Sequence, residues 1–214
     1  FSNPSPNQDA LSSYYSAFNN YENPQACGNV SSQRMKEFWR SYSLIAQHFP
    51  EKYTGKVLDI GCATGAALSI FKSKGWHVLG IEPSVTCANM AGQLYGIDVI
   101  AGDFNPSVVA EKGPFDVVTL SGVLEHLLAP DLLLDQIRPL VNHGGLVYIE
   151  VPNLLRPALP FGYFSFEHVN YFTPVTLTYI LKAHGFAPQI ELFENLDDPT
   201  DIYSSYPAIG AVGK

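Results

Sequence analysis

Cysteine is scarce in this chain of 214 residues, and what it has does not pair. Cys27, Cys62 and Cys87 are odd in number and lack C-x-x-C spacing, so neither a disulfide framework nor a cysteine-based zinc site is indicated, and no metal site is expected. A reducing cytosol suits that usage, which makes a cytoplasmic location the expectation. Basic residues are also few. Twelve Lys and Arg stand against twenty Asp and Glu, a net charge of −8. A nucleic-acid partner needs a basic face to displace counterions, so this balance argues against one. No apolar run approaches the roughly 18 residues of a membrane span, and no stretch reads as a secretory signal, so no membrane partner is expected. Internal repeats and low-complexity tracts are missing as well. The length suffices for one full-sized core, or for a core with a small appendage.

What is there centres on Val57-Leu58-Asp59-Ile60-Gly61-Cys62-Ala63-Thr64-Gly65. It reads as a buried strand running into a glycine-hinged turn, with a carboxylate just ahead of the first glycine. A loop built for pyrophosphate gains nothing from an anion there, because like charges at close range repel. A loop built for a cation gains. Ala66 to Lys74 is compatible with a helix, Leu68 and Phe71 sharing one face, and Gly75 stands where a helix C-terminal glycine belongs. His77–Glu82 then reads as a second strand. Glu82 closes it about 20 residues past the first glycine, where a carboxylate can accept both hydroxyls of a ribose; the plainer reading is a solvated strand-end acid. Pro83 turns its predecessor away from helical geometry, and Ser84 can cap the next helix.

Asp59 to Gly65 resembles motif I of the class I S-adenosylmethionine (SAM)-dependent methyltransferases, an acidic residue followed by G-x-G-x-G, with Ala63 in place of the middle glycine. The sign of the ligand agrees, since SAM carries a sulfonium and an ammonium and no phosphate. The resemblance implies SAM as cofactor, with Asp59, Gly61, Ala63, Gly65 and Glu82 around it. Gly102-Asp103-Phe104 matches the family position where a carboxylate receives the adenine amino group and a neighbour packs on the ring; Asp103 as a plain helix cap is the alternative. Leu120, Ser121 and Gly122 would offer backbone groups near the methionine end. The rival is a nicotinamide dinucleotide site. Its G-x-G-x-x-G fingerprint needs glycine at positions 63 and 66, and both are Ala.

From Gly55 onward, strand and helix patterns alternate. Strands fit Lys56–Ile60, His77–Glu82, Asp98–Ala101, Phe115–Ser121, Gly145–Val151, Gln189–Phe193 and Pro207–Val212. Such alternation implies an α/β fold, a mostly parallel sheet with helices on both faces. The closing pair with no helix between them places an antiparallel strand at one edge. That is the Rossmann-like seven-stranded arrangement the resemblance implies. Residues 1 to about 30, rich in Asn, Ser, Pro and Tyr, read as irregular. Ser31 or Ser32 can cap a helix running to about His48, with Met35, Phe38, Trp39, Tyr42, Ile45 and Phe49 at helical spacing, either core packing or a lid over a substrate mouth. Two parts follow: 1–52, an irregular segment plus a lid helix, and 53–214, the methyltransferase domain.

Two further segments, Gly122-Val123-Leu124-Glu125-His126-Leu127 and Phe166-Glu167-His168-Val169-Asn170-Tyr171-Phe172-Thr173-Pro174, are similar to bacterial methyltransferases akin to the ubiquinone-biosynthesis O-methyltransferases and to glycan and deoxysugar methyltransferases. This similarity spans roughly residues 30 to 190. Methyl transfer from a sulfonium has a very good leaving group, so orientation and exclusion of water dominate. The nucleophile must still lose a proton, work suited to a histidine. His168 is the first candidate base, with Glu167 orienting it or binding the acceptor, and His126 is the second. The sugar C-methyltransferases carry a tyrosine three residues before this histidine; here that position is Ser165, with Tyr163 two residues further upstream. The departure favours an oxygen acceptor. Phe161, Tyr163, Phe164, Phe166, Tyr171 and Phe172 suit a sugar ring or a ring-shaped metabolite. The expectation is methyl transfer from SAM to a small-molecule acceptor, with a hydroxyl of a sugar or glycan precursor or a related metabolite favoured; the alternatives are a catalytically silent SAM-binding scaffold and an NAD-dependent oxidoreductase.

Overall fold

The computed structural model describes residues 32–155, 167–193 and 208–213, with positions 7, 10 and 30. The irregular reading of the N-terminal 30 residues and the aromatic positions Phe161, Tyr163, Phe164 and Phe166, with Ser165, lie outside the described residues.

A seven-stranded sheet organises the chain, in the order β3-β2-β1-β4-β5-β7-β6. The strands are β1 (Lys56–Ile60), β2 (His77–Glu82), β3 (Val99–Ala101), β4 (Phe115–Ser121), β5 (Val141–Pro152), β6 (Pro188–Phe193) and β7 (Ala208–Gly213). The helices are α1 (Ser32–Ala46), α2 (Ala66–Ser73), α3 (Val85–Tyr95), α4 (Pro106–Ala110), α5 (Pro130–Ile137) and α6 (Pro174–Ala183). Pairings from β3 through β5 are parallel, and the antiparallel ones gather at the β5-β7-β6 edge. The fold class is the expected one.

Consecutive residues in the central strands go to opposite faces. Val57, Val117 and Leu146 pack beneath α1 and α2 with Ile45, Leu68, Phe71 and Trp76, whereas Leu58, Val118 and Val147 pack with Leu134, Ile137, Leu177 and Leu181 on the other side. Burial on both faces is why these strands read as unbroken apolar runs. Ser84 caps α3, accepting from the Cys87 amide, and Gly75, at φ +86, ends the turn after α2.

Three local expectations shift. Trp39 lies on the outer side of α1, 40% exposed, while Glu37 is buried. The helix therefore presents a mixed face inward, polar at Glu37 and Ser41. Strand β5 begins at Val141 rather than Gly145; Asn142-His143-Gly144-Gly145, whose composition reads as a turn, is an irregular stretch of strand, with a register shift opposite Phe115–Val117 and Gly144 at φ +81. Asp116, which at the opening of the fourth strand pattern reads as a turn residue and not a ligand, is more than that. Its carboxylate accepts from the Lys56 amide (2.7 Å) and from Asn142 Nδ2 (2.8 Å), fastening the starts of β1 and β5 to β4.

Candidate active site

In open parallel sheets ligands sit beyond the carboxyl ends of the strands. The loop after β1 is shaped by positive φ at Gly61 (+77), Ala63 (+47) and Gly65 (+78). Only glycine takes such angles freely, so Ala63 holds a left-handed conformation at a cost. At Gly61 a Cβ would also come within 2.7 Å of Val123 Cγ2. The Gly61 and Cys62 amides donate to the Ile81 carbonyl at 2.8 and 3.1 Å, tying the loop to β2. No side chain caps α2 at Gly65, which leaves its first-turn amides facing the loop.

Glu82 holds this loop from the end of β2. One carboxylate oxygen accepts from the Ala63 amide and the other from the Ser84 amide, both at 2.9 Å. It is buried, not a solvated strand-end acid. Each carboxylate oxygen has a second lone pair, so capacity for a diol remains. Asp59 is buried too. Its Oδ1 accepts from the Thr119 hydroxyl at 2.6 Å. Burial pushes its carboxyl up to about 7, the Thr119 hydrogen bond pulls it down, and the Glu82 charge pushes it further up. Burial, then the charges of Asp59 and Glu82, also raise the Cys62 thiol, so this cysteine is inert at neutral pH.

Asp103 is exposed and Phe104 half-buried, beside the end of β3. The helix cap alternative for Asp103 goes to Asn105 instead, whose Oδ1 accepts from the Ser107 amide at 3.0 Å. Ser121 ends β4, paired in register with Glu150. A cleft beneath α1 is lined by Phe38, Ser41, Asp59, Thr119, Ser121 and Tyr148. Helix α1 is fastened over it by Glu150, which receives the Tyr148 hydroxyl at 2.5 Å, Ser41 Oγ at 3.1 Å and Arg40 Nη2 at 3.4 Å.

The segment after β4 and the segment before α6 meet. The Val169 and Asn170 amides donate to the Glu125 carbonyl at 2.9 and 3.0 Å, and Asn170 Nδ2 donates to the Leu127 carbonyl. His126 and His168 stand edge to face, ring centroids 4.8 Å apart. Nδ1 of His126 donates to the main-chain carbonyl of Glu167 at 3.0 Å, so Glu167 contacts the other histidine through its backbone. Burial, then the neighbouring His168, lowers His126 to about 4, whereas the hydrogen bond to Glu167 works the other way. That leaves His126 a weak base at neutral pH. Glu125, passed over in the sequence, is buried with its Oε2 lacking a partner. Burial pushes its carboxyl up to about 8; its own backbone amide and Arg34 pull down, Glu150 and Glu167 push up. The Glu125-His126 dipeptide directly after β4 was the available signal. Thr119, Glu150 and Ser41 carried none.

A methyltransferase domain family model matches residues 32–189. Curated relatives include a ubiquinone biosynthesis O-methyltransferase of Paraburkholderia xenovorans, 32% identical over 127 residues (56% of this chain, 55% of that protein). They also include the C-methyltransferase NovU of Streptomyces niveus, 29% identical over 137 residues (60% of this chain, 32% of that protein). The chain thus spans about half the length of the first of these and a third of the second. Among solved structures, a SAM-dependent methyltransferase of Archaeoglobus fulgidus aligns with TM-score 0.67 at 21% identity, covering 86% of this chain and 95% of that one. The 1,6-didemethyltoxoflavin-N1-methyltransferase of Burkholderia thailandensis, with S-adenosylhomocysteine bound, aligns with TM-score 0.69 at 18% identity over 95% and 86%. At these identities the structural likeness speaks for the fold, and with the family model running from α1 into β6, the chain belongs to the methyltransferase domain family.

Proposed function

We propose that this chain transfers a methyl group from SAM to a small-molecule acceptor, a hydroxyl of a sugar or glycan precursor or a related metabolite. The observation that carries the cofactor is the pair of buried carboxylates, Asp59 and Glu82, at the rim of the sheet. A buried carboxyl whose ionisation is resisted suits a cationic ligand, and Asp59 stands in β1 just ahead of the glycine loop, where the methionine end of SAM would lie. Glu82 takes the ribose hydroxyls, Gly61, Ala63 and Gly65 let the backbone approach, and the uncapped start of α2 offers amides to the methionine carboxylate. Asp103 and Phe104 receive the adenine, and Ser121 borders the methionine end. SAM supplies an electrophilic methyl on sulfur.

His168 accepts the proton of the acceptor. His126, tied at Nδ1 and lowered in basicity, positions the loop that carries His168, with Glu167 contributing its carbonyl. The net charge of −8 supports a small molecule over nucleic acid as acceptor. Among the described residues no helix is long and apolar enough to cross a membrane, and Cys62 and Cys87 are buried without forming a disulfide, which supports a reducing compartment.

The test is calorimetry with SAM, expected to give binding on the order of micromolar, about 8 kcal/mol, followed by turnover on a panel of hydroxyl acceptors. His168→Ala keeps cofactor binding and loses turnover. Binding without turnover on any acceptor would make the chain a silent scaffold, and binding of NADH in place of SAM would return the dinucleotide reading.

A further inference from the structure

We propose that Glu125, His126 and His168 form a binding site for a divalent transition-metal cation of the zinc or iron(II) class, with open positions that take the acceptor's oxygen. The three side chains offer one carboxylate oxygen and two imidazole nitrogens, all within 4.8 Å of one another. Two imidazoles and one carboxylate are the donor set of borderline divalent ions, not of magnesium or calcium, which prefer oxygen alone.

Two independent observations point the cluster at a cation. First, Glu125 Oε2 is buried with no hydrogen-bond partner, although its side chain is only 4% exposed. A buried carboxyl oxygen left without a partner is costly, and a metal ion that displaces the carboxyl proton satisfies it. Second, His126 Nδ1 faces a carbonyl, which only accepts, so Nδ1 carries the proton and Nε2 presents a lone pair. Nε2 lies 3.9 Å from Glu125 Oε1, beyond direct hydrogen-bond reach but close enough to share a cation. A ligating histidine is held in this way, its second nitrogen donating to a main-chain carbonyl. Metal–ligand bonds of about 2.1 Å bring donors to roughly 3.4 Å from one another, so side-chain rotation of about 1 Å closes the site.

The inference rests on the methyl-transfer reading only for its catalytic consequence. With the cation loaded, His168 lends its lone pair to the metal rather than to the acceptor's proton. The acceptor hydroxyl, bound in an open position, gives its proton to water. The oxygen–methyl bond then forms as the sulfur–methyl bond breaks, its electron pair returning to sulfur.

The experiment titrates the chelator-stripped protein with Zn²⁺ against a chromophoric competitor, and with Co²⁺ for its visible spectrum. One equivalent of Zn²⁺ should bind, and Glu125→Gln, which preserves shape, and His168→Asn should each weaken it at least a hundredfold while SAM affinity stays the same. Equal Zn²⁺ affinity in wild type and both variants would overturn the site. So would an intense thiolate-to-cobalt charge-transfer band, which would put the ion on a cysteine. Turnover that survives stripping unchanged would remove the catalytic part and leave methyl transfer through His168 standing. Loss of SAM binding with intact Zn²⁺ binding would instead break the cofactor reading alone.

Discussion

Replacing Asp59 by Asn separates what the buried carboxylate does for the ligand from what it costs the fold. In the free protein its carboxyl stands near 7 because burial and the Glu82 charge outweigh the Thr119 hydrogen bond. A cationic ligand needs it ionised. Well below 7 each pH unit therefore costs about tenfold in affinity, or about 1.4 kcal/mol, so SAM should bind roughly tenfold more tightly at pH 7.0 than at pH 5.7. The window stops short of about 7.7, where the ligand's own α-amino group begins to titrate. Stability runs the other way. The folded value lies above the ordinary 3.8, so the native state holds more protons between the two, and stability falls as pH rises from about 4 to about 7 before levelling. The full span corresponds to at most about 4 kcal/mol. Asp59→Asn keeps an acceptor for Thr119 and removes the charge. At pH 7 it should melt several degrees higher in the free state and bind SAM at least tenfold more weakly, with no pH slope. Calorimetry in two buffers of different ionisation enthalpy reads the proton released by wild type, about half an equivalent at pH 7. A variant that melts lower, or that keeps the wild-type slope, would refute the reasoning.

Glu82→Ala removes the acceptor for two main-chain amides as well as for a ribose, and hydrogen bonds to a charged group contribute about 1.5–3 kcal/mol each. SAM affinity should fall between roughly tenfold and about 150-fold. Glu82→Gln should lose less; calorimetric affinities within twofold of wild type in both would contradict the assignment. Ala63→Gly relieves a left-handed alanine, worth about 1 kcal/mol, against a smaller gain in chain entropy on unfolding. The net is about +0.5 kcal/mol, a melting temperature one or two degrees higher by calorimetric scan; a lower one would mean that the methyl group packs usefully. Asp116→Ala unfastens β1 and β5 at the end of the sheet far from the ligand. It should cost about 1–2 kcal/mol of stability in denaturant titration and leave SAM affinity unchanged.

Where local pattern decides, the sequence was enough. β1, β2 and β4 have the bounds read from apolar runs closed by Ile60, Glu82 and Ser121, because a strand buried on both faces writes its limits in composition. The glycine spacing at 61 and 65 and the acid at 82 placed the loop and its anchor. Pairings across space were not legible. Thr119 meets Asp59 over 60 positions of chain, and Ser41 meets Glu150 over 109. Nothing in the neighbourhood of Thr119 or Ser41 marks either. Glu125 was passed over because a glutamate after a strand ordinarily faces water; here it is buried, with Val169 and Asn170 returning onto its carbonyl. Trp39 and Glu37 exchange the sides that hydropathy assigns them, since the inner face of α1 looks onto Glu150 and the cleft rather than onto plain core.

The knot joining Tyr148, Glu150, Ser41 and Arg40 dictates where this protein can be shortened. Trimming to the start of β1 would strip Glu150 of its hydroxyl from Ser41 and its guanidinium from Arg40, and would open Ile45's berth against the sheet. An anion left with the Tyr148 hydroxyl as its one remaining donor from that knot, in a half-opened interior, is a poor beginning for a fold. The smallest piece that can be expected to express as a folded unit therefore starts ahead of residue 32, and the first helix belongs to the body of the protein as fully as any strand.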